Sequence, residues 1–267
     1  MTASLVRLEC DGPIARVTLD RAAKRNALSR ELLHQLGAAI EKVRADESLR
    51  VLVLQAEGPV FCAGMDLKEM EQRAAATDAE AQWQLDSEAY CEVLVALTTL
   101  AIPTIAAVQG PALAGGLGLV LTCDLVIAGE NVFFALPEPK RGITAAVVTP
   151  LLHYRVGVSG SSWLLLSGER IDSHEAHRAG LCHEVVWPVE LKPRVETLSR
   201  SILSGARSAL MLSKQELLRV AGPMLVEQLK SARAVSAQAR ETADAREGLQ
   251  AFLENRLPGW AVEDEDS

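Results

Sequence analysis

Apolar and polar positions alternate at the start of the chain. Leu5-Val-Arg-Leu-Glu-Cys10 and Ile14-Ala-Arg-Val-Thr-Leu19 read as short strands, and Asp11-Gly12-Pro13 between them predicts a hairpin. The period then lengthens. Ser29 stands where a helix cap is needed, and Leu32, Leu33, Leu36, Ile40 and Val43 follow at helical spacing. Arg50 to Gln55 is β-rich and almost uniformly apolar, the pattern of a strand buried on both faces. Residues 79–100 read as a helix, and Pro103 opens the β-branched run Thr104-Ile-Ala-Ala-Val108. A glycine-rich stretch from Gly110 to Gly118 leads into a helix-like segment and the strand Leu125-Val-Ile-Ala128. Strand, glycine turn, helix and strand in this order predict an α/β protein. Beyond residue 195 strand signals vanish. Leu198 to Phe252 reads as helical, with breaks expected at Gly205 and at Gly222-Pro223. The organisation expected is a core over residues 1–195 and a helical segment over 196–267, ending in an acidic tail, Glu263-Asp-Glu-Asp-Ser267, that is expected to fray. No repeat of fixed period is visible.

Composition narrows the classes. The chain has 267 residues, 49% hydrophobic and 23% charged, enough to bury a large core. A net charge of -8, no run of Lys or Arg and only 4% aromatic residues argue against a nucleic-acid platform or a polybasic membrane surface. The most apolar stretch, Ala112 to Ile127, is interrupted by Thr122, Cys123 and Asp124 and carries three glycines, so it is a poor membrane span. The first residues show no basic start followed by an apolar core, hence no signal-peptide pattern. Five cysteines, at 10, 62, 91, 123 and 182, are odd in number and form no CxxC. They read as buried thiols of a reducing compartment, and a cytoplasmic location is expected.

Three segments carry candidate chemistry. Gln109-Gly-Pro-Ala-Leu-Ala-Gly-Gly-Leu-Gly118 allows close backbone approach to a ligand at a helix start, although tight packing explains such glycines equally well. It matches neither a dinucleotide fingerprint nor a P-loop. In Phe61-Cys-Ala-Gly-Met-Asp66, Gly64 permits an unusual turn that aims the Met65 N–H into a cleft, while Asp66 is placed to cap a helix beginning at Leu67. Cys62 lacks a partner base and reads as an inert buried thiol. Glu138 lies between two prolines directly after an apolar strand, where a stiff loop holds a carboxylate and apolar surroundings raise its pKa. The plain alternative is a solvated turn glutamate. His174, His177 and His183 lack the acid or cysteine that would complete a metal site, and no metal is expected.

Taken in order, these segments resemble the enoyl-CoA hydratase/isomerase (crotonase) superfamily. The resemblance runs from about residue 5 to 258. It includes Arg25-Asn-Ala-Leu28, the 61–70 and 109–118 segments, Cys123-Asp-Leu-Val-Ile-Ala128 and Phe134-Ala-Leu-Pro-Glu-Pro-Lys-Arg-Gly142. Ser167-Gly-Glu-Arg-Ile-Asp-Ser-His-Glu-Ala176 and Arg246-Glu-Gly-Leu-Gln-Ala-Phe-Leu-Glu-Asn-Arg256 complete it. The resemblance implies a crotonase-like spiral of ββα units with a C-terminal helical oligomerisation segment, assembled as a homotrimer or hexamer. It implies an acyl-CoA substrate whose thioester oxygen is held by the N–H groups of Met65 and Gly115. It places Lys24, Arg25, Ala63, Asp66, Leu67 and Lys68 near coenzyme A, and Arg256 at a neighbouring subunit's coenzyme A. Coenzyme A enters as part of the substrate, and no metal or redox cofactor is implied.

One departure matters. The second of the family's two catalytic glutamates is retained as Glu138, but the first falls on Gly118. An isomerase pattern with an acid in the loop after Gly142 is absent, since no Asp or Glu lies between Arg141 and Val158. A hydratase with Glu138 as general acid and base is the leading expectation. A single-base isomerase converting 3-enoyl-CoA to 2-enoyl-CoA and a non-catalytic CoA-ester-binding protein are the alternatives. Whether an acid of the helix over 79–97, where Glu80, Asp86, Glu88 and Glu92 are the candidates, replaces the missing glutamate is left open by the spacing.

Overall fold

The computed structural model describes residues 4–261, for 221–223 the backbone only; the acidic tail from Glu263 lies outside the described residues. The N-terminal hairpin forms as expected, β1 (Val6–Asp11) pairing antiparallel with β2 (Ile14–Leu19) around Gly12 in a left-handed conformation. Helix α1 (Arg30–Ala45) starts at Ser29, whose hydroxyl accepts from the Leu32 N–H at 3.2 Å. Its predicted stripe of Leu32, Leu33, Leu36, Ile40 and Val43 is buried. Each such side chain contributes about 1.5–3 kcal/mol of burial free energy.

Next come β3 (Val51–Ala56), α2 (Leu67–Ala74), α3 (Ala79–Thr98), β4 (Thr104–Val108), β5 (Ala112–Leu113), α4 (Gly115–Leu121), β6 (Leu125–Gly129) and β7 (Phe133–Ala135). They are followed by α5 (Thr149–Ser162), β8 (Arg170–Asp172), α6 (Ser173–Arg178), β9 (Glu184–Val186), α7 (Leu191–Leu203), α8 (Arg207–Ala239) and α9 (Ala243–Leu253). Six strands form the main sheet in the order β1-β2-β3-β4-β6-β9, parallel from β2 onward. A small second sheet, β5-β7-β8, stands beside it.

The main sheet is covered on both faces, which explains the uniformly apolar β3. Leu52 and Leu54 of β3, Ala106 and Val108 of β4, and Val126 and Ala128 of β6 join the large core with α1 and α3. The alternate residues Val51, Val53, Ile105 and Ile127 face α7, where Leu191 and Val195 meet them. The two-residue period of a strand thus feeds two cores from one apolar run.

The C-terminal helices differ from expectation at one point. Gly205 does separate α7 from α8, but α8 runs unbroken through positions 222 and 223. Buried Leu225 and Leu229 tie α8 into the main core. Such packing outweighs the local penalty of glycine and proline in a helix. The chain turns instead after Ala239, where Thr242 caps α9 through the Ala245 N–H at 3.0 Å.

Candidate active site

Two backbone turns meet beneath the N-terminal loop. In the first, Gly64 has φ +88°, a value that side chains resist. The Leu28 N–H donates to the Gly64 carbonyl at 2.8 Å, and the Asp66 N–H donates to the Leu28 carbonyl at 3.1 Å. The Met65 N–H between them has no acceptor among the described residues. Asp66 then caps α2, its Oδ1 accepting from the Lys68 N–H at 3.0 Å, while its Oδ2 pairs with Arg21 at 2.6 Å. The Arg21 guanidinium holds the Asp66 carboxyl below its ordinary pKa against the opposing pull of burial. In the second turn Ala114 adopts φ 52° and ψ -129° and leads into α4, so the Gly115 N–H opens the helix with no intrahelical acceptor. The turns touch. A methyl carbon built on Gly64 would lie 2.6 Å from the Ala114 Cβ and 3.3 Å from the Gly115 nitrogen.

Both turns border a cavity of about 470 Å³. Lys24, Arg25, Ala63, Met65, Asp66, Leu67, Lys68, Gly115 and Glu138 all line it. The loop carrying Lys24 and Arg25 is pinned by the buried Asn26. Its Oδ1 accepts from the Arg21 N–H at 2.8 Å, and its Nδ2 donates to the carbonyls of Glu57 and Val60 at 2.8 and 2.9 Å. Those three bonds hold Arg25 and Asn26 in consecutive left-handed conformations. Arg256 does not line the cavity; its guanidinium pairs with Glu247 and Glu254 at 2.6 and 2.7 Å.

Glu138 enters from the small sheet. It follows β7 and opens a tight turn over Pro139–Arg141 that Gly142 closes at φ +67°. The Gly142 backbone packs directly against Asp244 of α9, leaving no room for a side chain. The Glu138 side chain is buried, and its Oε2 has no hydrogen-bond partner. Burial pushes its pKa up to about 7, with Arg141 and Arg240 pulling the other way. A carboxyl poised there can both take and return a proton near neutral pH.

None of the four acids proposed on α3 lines this cavity. Glu80, Glu88 and Glu92 are exposed, and Glu88 pairs with Arg233 at 2.8 Å. Asp86 is buried but bound by Arg30 and Arg73 at 2.6 and 2.5 Å. The helix supplies Tyr90 instead. Tyr90 is buried, lines the cavity and donates from its hydroxyl to the Gly115 carbonyl at 2.7 Å. Desolvation raises the Tyr90 pKa further, so the hydroxyl stays neutral. A Cβ on Gly118 would overlap that hydroxyl and lie 3.3 Å from the ring carbon bearing it. Arg141 and Arg240 also reach the cavity, Arg240 from the end of α8. Sequence reading missed all three. Tyr90 and Arg240 lie in helices whose pattern reports only a period, while Arg141 stood beside Glu138 inside a motif already singled out.

The remaining candidates serve structure. Cys62 is fully buried, its thiol donates to the Asn26 carbonyl at 3.1 Å, and burial pushes its pKa up to about 12. His183 Nδ1 accepts from the Val126 N–H at 3.1 Å, and His177 Nδ1 contacts the Cys182 carbonyl at 3.2 Å. His174 lies 3.8 Å from Glu130. Among the described residues no helix is long and apolar enough to cross a membrane.

Comparison with known proteins places the chain in a family. The enoyl-CoA hydratase/isomerase family profile matches residues 9–263. The 2,3-dehydroadipyl-CoA hydratase of Escherichia coli is 38% identical over 253 residues, covering 91% of this chain and 93% of that protein. The mouse mitochondrial enoyl-CoA hydratase domain-containing protein 3 is 31% identical over 254 residues, covering 93% and 81%. The crystal structure of an enoyl-CoA hydratase/isomerase from Xanthobacter autotrophicus Py2 superposes with a TM-score of 0.86 at 30% identity, over 96% of this chain and 98% of that one. The mixed α/β core with its helical C-terminal region is therefore a crotonase fold, and the chain belongs to the enoyl-CoA hydratase/isomerase family.

Proposed function

We propose that the protein hydrates 2-enoyl-CoA thioesters and dehydrates the 3-hydroxyacyl products. The observation that carries this reading is the unpartnered, buried carboxylate oxygen of Glu138 on the same cavity as the Met65 and Gly115 N–H groups. The thioester oxygen accepts from those two N–H groups. As a water oxygen adds to C3, negative charge builds on the thioester oxygen, where fixed dipoles stabilise it most. Glu138 takes the water proton as the C3–O bond forms and delivers that proton to C2 as the enolate collapses. One H and one OH have then been added. Tyr90, its own proton committed to Gly115, leaves lone pairs on its hydroxyl oxygen for the attacking water. A neutral acceptor thus stands where a second carboxylate is missing.

Lys24, Arg25 and Lys68 hold the phosphates and adenine of coenzyme A, and Arg256 reaches the coenzyme A of a neighbour in a homotrimer or hexamer. The proposed chemistry uses coenzyme A as part of the substrate and calls on no metal or redox group. Four buried free cysteines fit a reducing compartment such as the cytoplasm.

The presence of a single carboxylate favours one other reading, a proton shuttle from C2 to C4 that isomerises 3-enoyl-CoA. Incubating 2-enoyl-CoA and 3-enoyl-CoA separately and weighing the products separates the two. Hydration adds the mass of water to the 2-enoyl substrate. A 2-enoyl substrate that gains no mass, beside a 3-enoyl substrate that is rearranged, overturns hydration in favour of isomerisation.

A further inference from the structure

Arg240 stands where α8 ends and lines the cavity together with Ser236, Tyr90 and Glu138. Its place is fixed from both helices that meet there. The Arg240 N–H donates to the Ala237 carbonyl at 3.0 Å. Its Nη1 donates to the carbonyl and the hydroxyl of Ser236 at 2.7 Å each, and to the Ser87 hydroxyl of α3 at 3.0 Å. The Ser87 hydroxyl in turn donates to that of Ser236 at 3.3 Å, and both serines are buried. Among the described residues Arg240 meets no carboxylate at ion-pair distance. Asp86 is taken by Arg30 and Arg73, and Glu138 keeps its Oε2 without a partner.

Glu138 therefore shares a cavity with a cation that it does not touch. The charged and titratable groups that act on it are Arg141 from its own turn, Tyr90 from α3 and Arg240 from α8. Lys24, Arg25, Asp66 and Lys68 border the same cavity, and Arg25 acts on Arg141. Burial alone can lift a carboxyl by as much as about 3–5 pH units, which leaves it protonated and unable to accept a proton at neutral pH. A direct ion pair does the reverse and makes the carboxylate too weak a base. A cation held at a distance gives the result between. Burial lifts Glu138 to about 7 here, against the opposing pull of its own backbone hydrogen bond, Arg141 and Arg240.

Resting on the hydratase reading above, we infer that Arg240 is a positioning residue of the reaction. The Ser87–Ser236 pair tethers its guanidinium near enough for its charge to act on Glu138 and too far to bond with it. Glu138 thereby stays a base that can also give its proton back. Arg141 acts in the same sense, but its guanidinium also covers the Phe252 ring at 3.7 Å, so altering it disturbs the packing of α9 on the Glu138 turn. Arg240 stands on another element and can be changed separately.

The test reads two quantities across pH: kcat/KM for hydration of a 2-enoyl-CoA, and the infrared signal of the Glu138 carboxyl, assigned by its absence in Glu138→Gln. Arg240→Gln is expected to move both inflections to higher pH by about half a unit or more, because the ionised carboxylate loses a favourable charge. Arg240→Lys keeps the charge and is expected to stay near wild type. Ser87→Ala combined with Ser236→Ala frees the guanidinium to meet Glu138 and is expected to move both inflections to lower pH. Shifts of opposite sign do not arise from a loss of packing. An Arg240→Gln inflection that stays in place, whatever the fall in kcat, overturns the inference. A serine double variant whose inflection stays or rises overturns it as well. Should Arg240→Gln fail to fold, Arg240→Lys and the serine double variant decide. A carboxyl titration that moves as expected, with no 2-enoyl thioester hydrated, overturns the hydratase reading and leaves the role of Arg240 standing.

Discussion

The Tyr90 hydroxyl fills the volume that a side chain on Gly118 would need. The two positions belong to different helices, α3 and α4, and a Cβ added at 118 would also come within 3.1 Å of Val148. Gly118 and Tyr90 are therefore one exchange rather than two separate features. On the proposed reading, the phenol from α3 supplies the acceptor for water that α4 lacks at Gly118.

This exchange predicts coupling. Gly118→Glu alone overpacks the site and is expected to cost roughly 1–3 kcal/mol or more. Adding Tyr90→Ala vacates the space and is expected to restore part of that loss. Chemical denaturation of the wild type, both single variants and the double variant measures the coupling energy. Strictly additive losses would show that the two side chains do not compete for one volume.

Tyr90→Phe keeps the ring and removes only the hydroxyl. The Gly115 carbonyl then loses its 2.7 Å donor in a buried setting, a loss of about 1–3 kcal/mol. The adjacent Gly115 N–H becomes less firmly aimed, and water loses an acceptor. Turnover on 2-enoyl-CoA is expected to fall by about tenfold or more, less than for loss of the general acid-base. An unchanged kcat would confine Tyr90 to packing.

What the sequence made legible follows from how locally each feature is encoded. The hairpin, the α1 stripe and the two-faced β3 were readable because burial repeats with the element's own period. The Met65 and Gly115 turns and Glu138 were readable because glycine and proline mark unusual backbone. Tyr90 was not, because its role depends on what α4 lacks. Arg240 was not, because nothing within α8 reports that its end meets a cavity built around residues 63–148. The break expected at Gly222-Pro223 failed for the converse reason, since long-range packing of α8 prevails over a local signal.

Glu138→Gln should leave the fold intact and lower kcat by at least about a hundredfold. In the wild type the carboxylate form must accept the water proton, so kcat/KM for hydration is expected to fall as pH drops below about 7. A steady-state pH profile with no inflection near neutrality would remove Glu138 as the base.

The same group makes a stability prediction of opposite sign. Burial raises the Glu138 pKa from 4.5 to about 7, so the native state holds this proton more tightly than the unfolded chain. The protonated carboxyl carries no ionic penalty below the unfolded value. As pH rises through the window between the two values, the native state loses stability, up to about 3 kcal/mol. Glu138→Gln abolishes that loss. The variant's melting temperature relative to wild type is expected to be higher at about pH 8 than at about pH 4. A difference independent of pH would mean that the carboxyl is not desolvated.

Asp86 gives a contrasting result. Its two oxygens hold Arg30 and Arg73, which also meets Glu69 at 2.8 Å, and this network joins α1, α2 and α3. Asp86→Asn leaves two arginines without their shared counter-ion and is expected to cost about 3–5 kcal/mol. Folded variant that survives should keep the wild-type pH inflection of kcat/KM, because Asp86 does not line the cavity. Loss of that inflection would make Asp86 a participant in proton transfer.

Gly64→Ala tests the paired N–H groups without touching a functional side chain. At φ +88° an alanine is strained, and its methyl would press on the Ala114 Cβ at 2.6 Å. Ala114 is itself held at φ 52°, so neither turn yields without moving the other. Relief of that strain is expected to turn the Met65 and Gly115 N–H groups away from the cavity they both border. Because the thioester oxygen gains charge only as the enolate forms, misaimed donors penalise the transition state more than the bound substrate. kcat is therefore expected to drop by about a hundredfold or more, with KM changed far less. A KM rise at constant kcat would instead mean that these turns bind coenzyme A and take no part in stabilising the enolate.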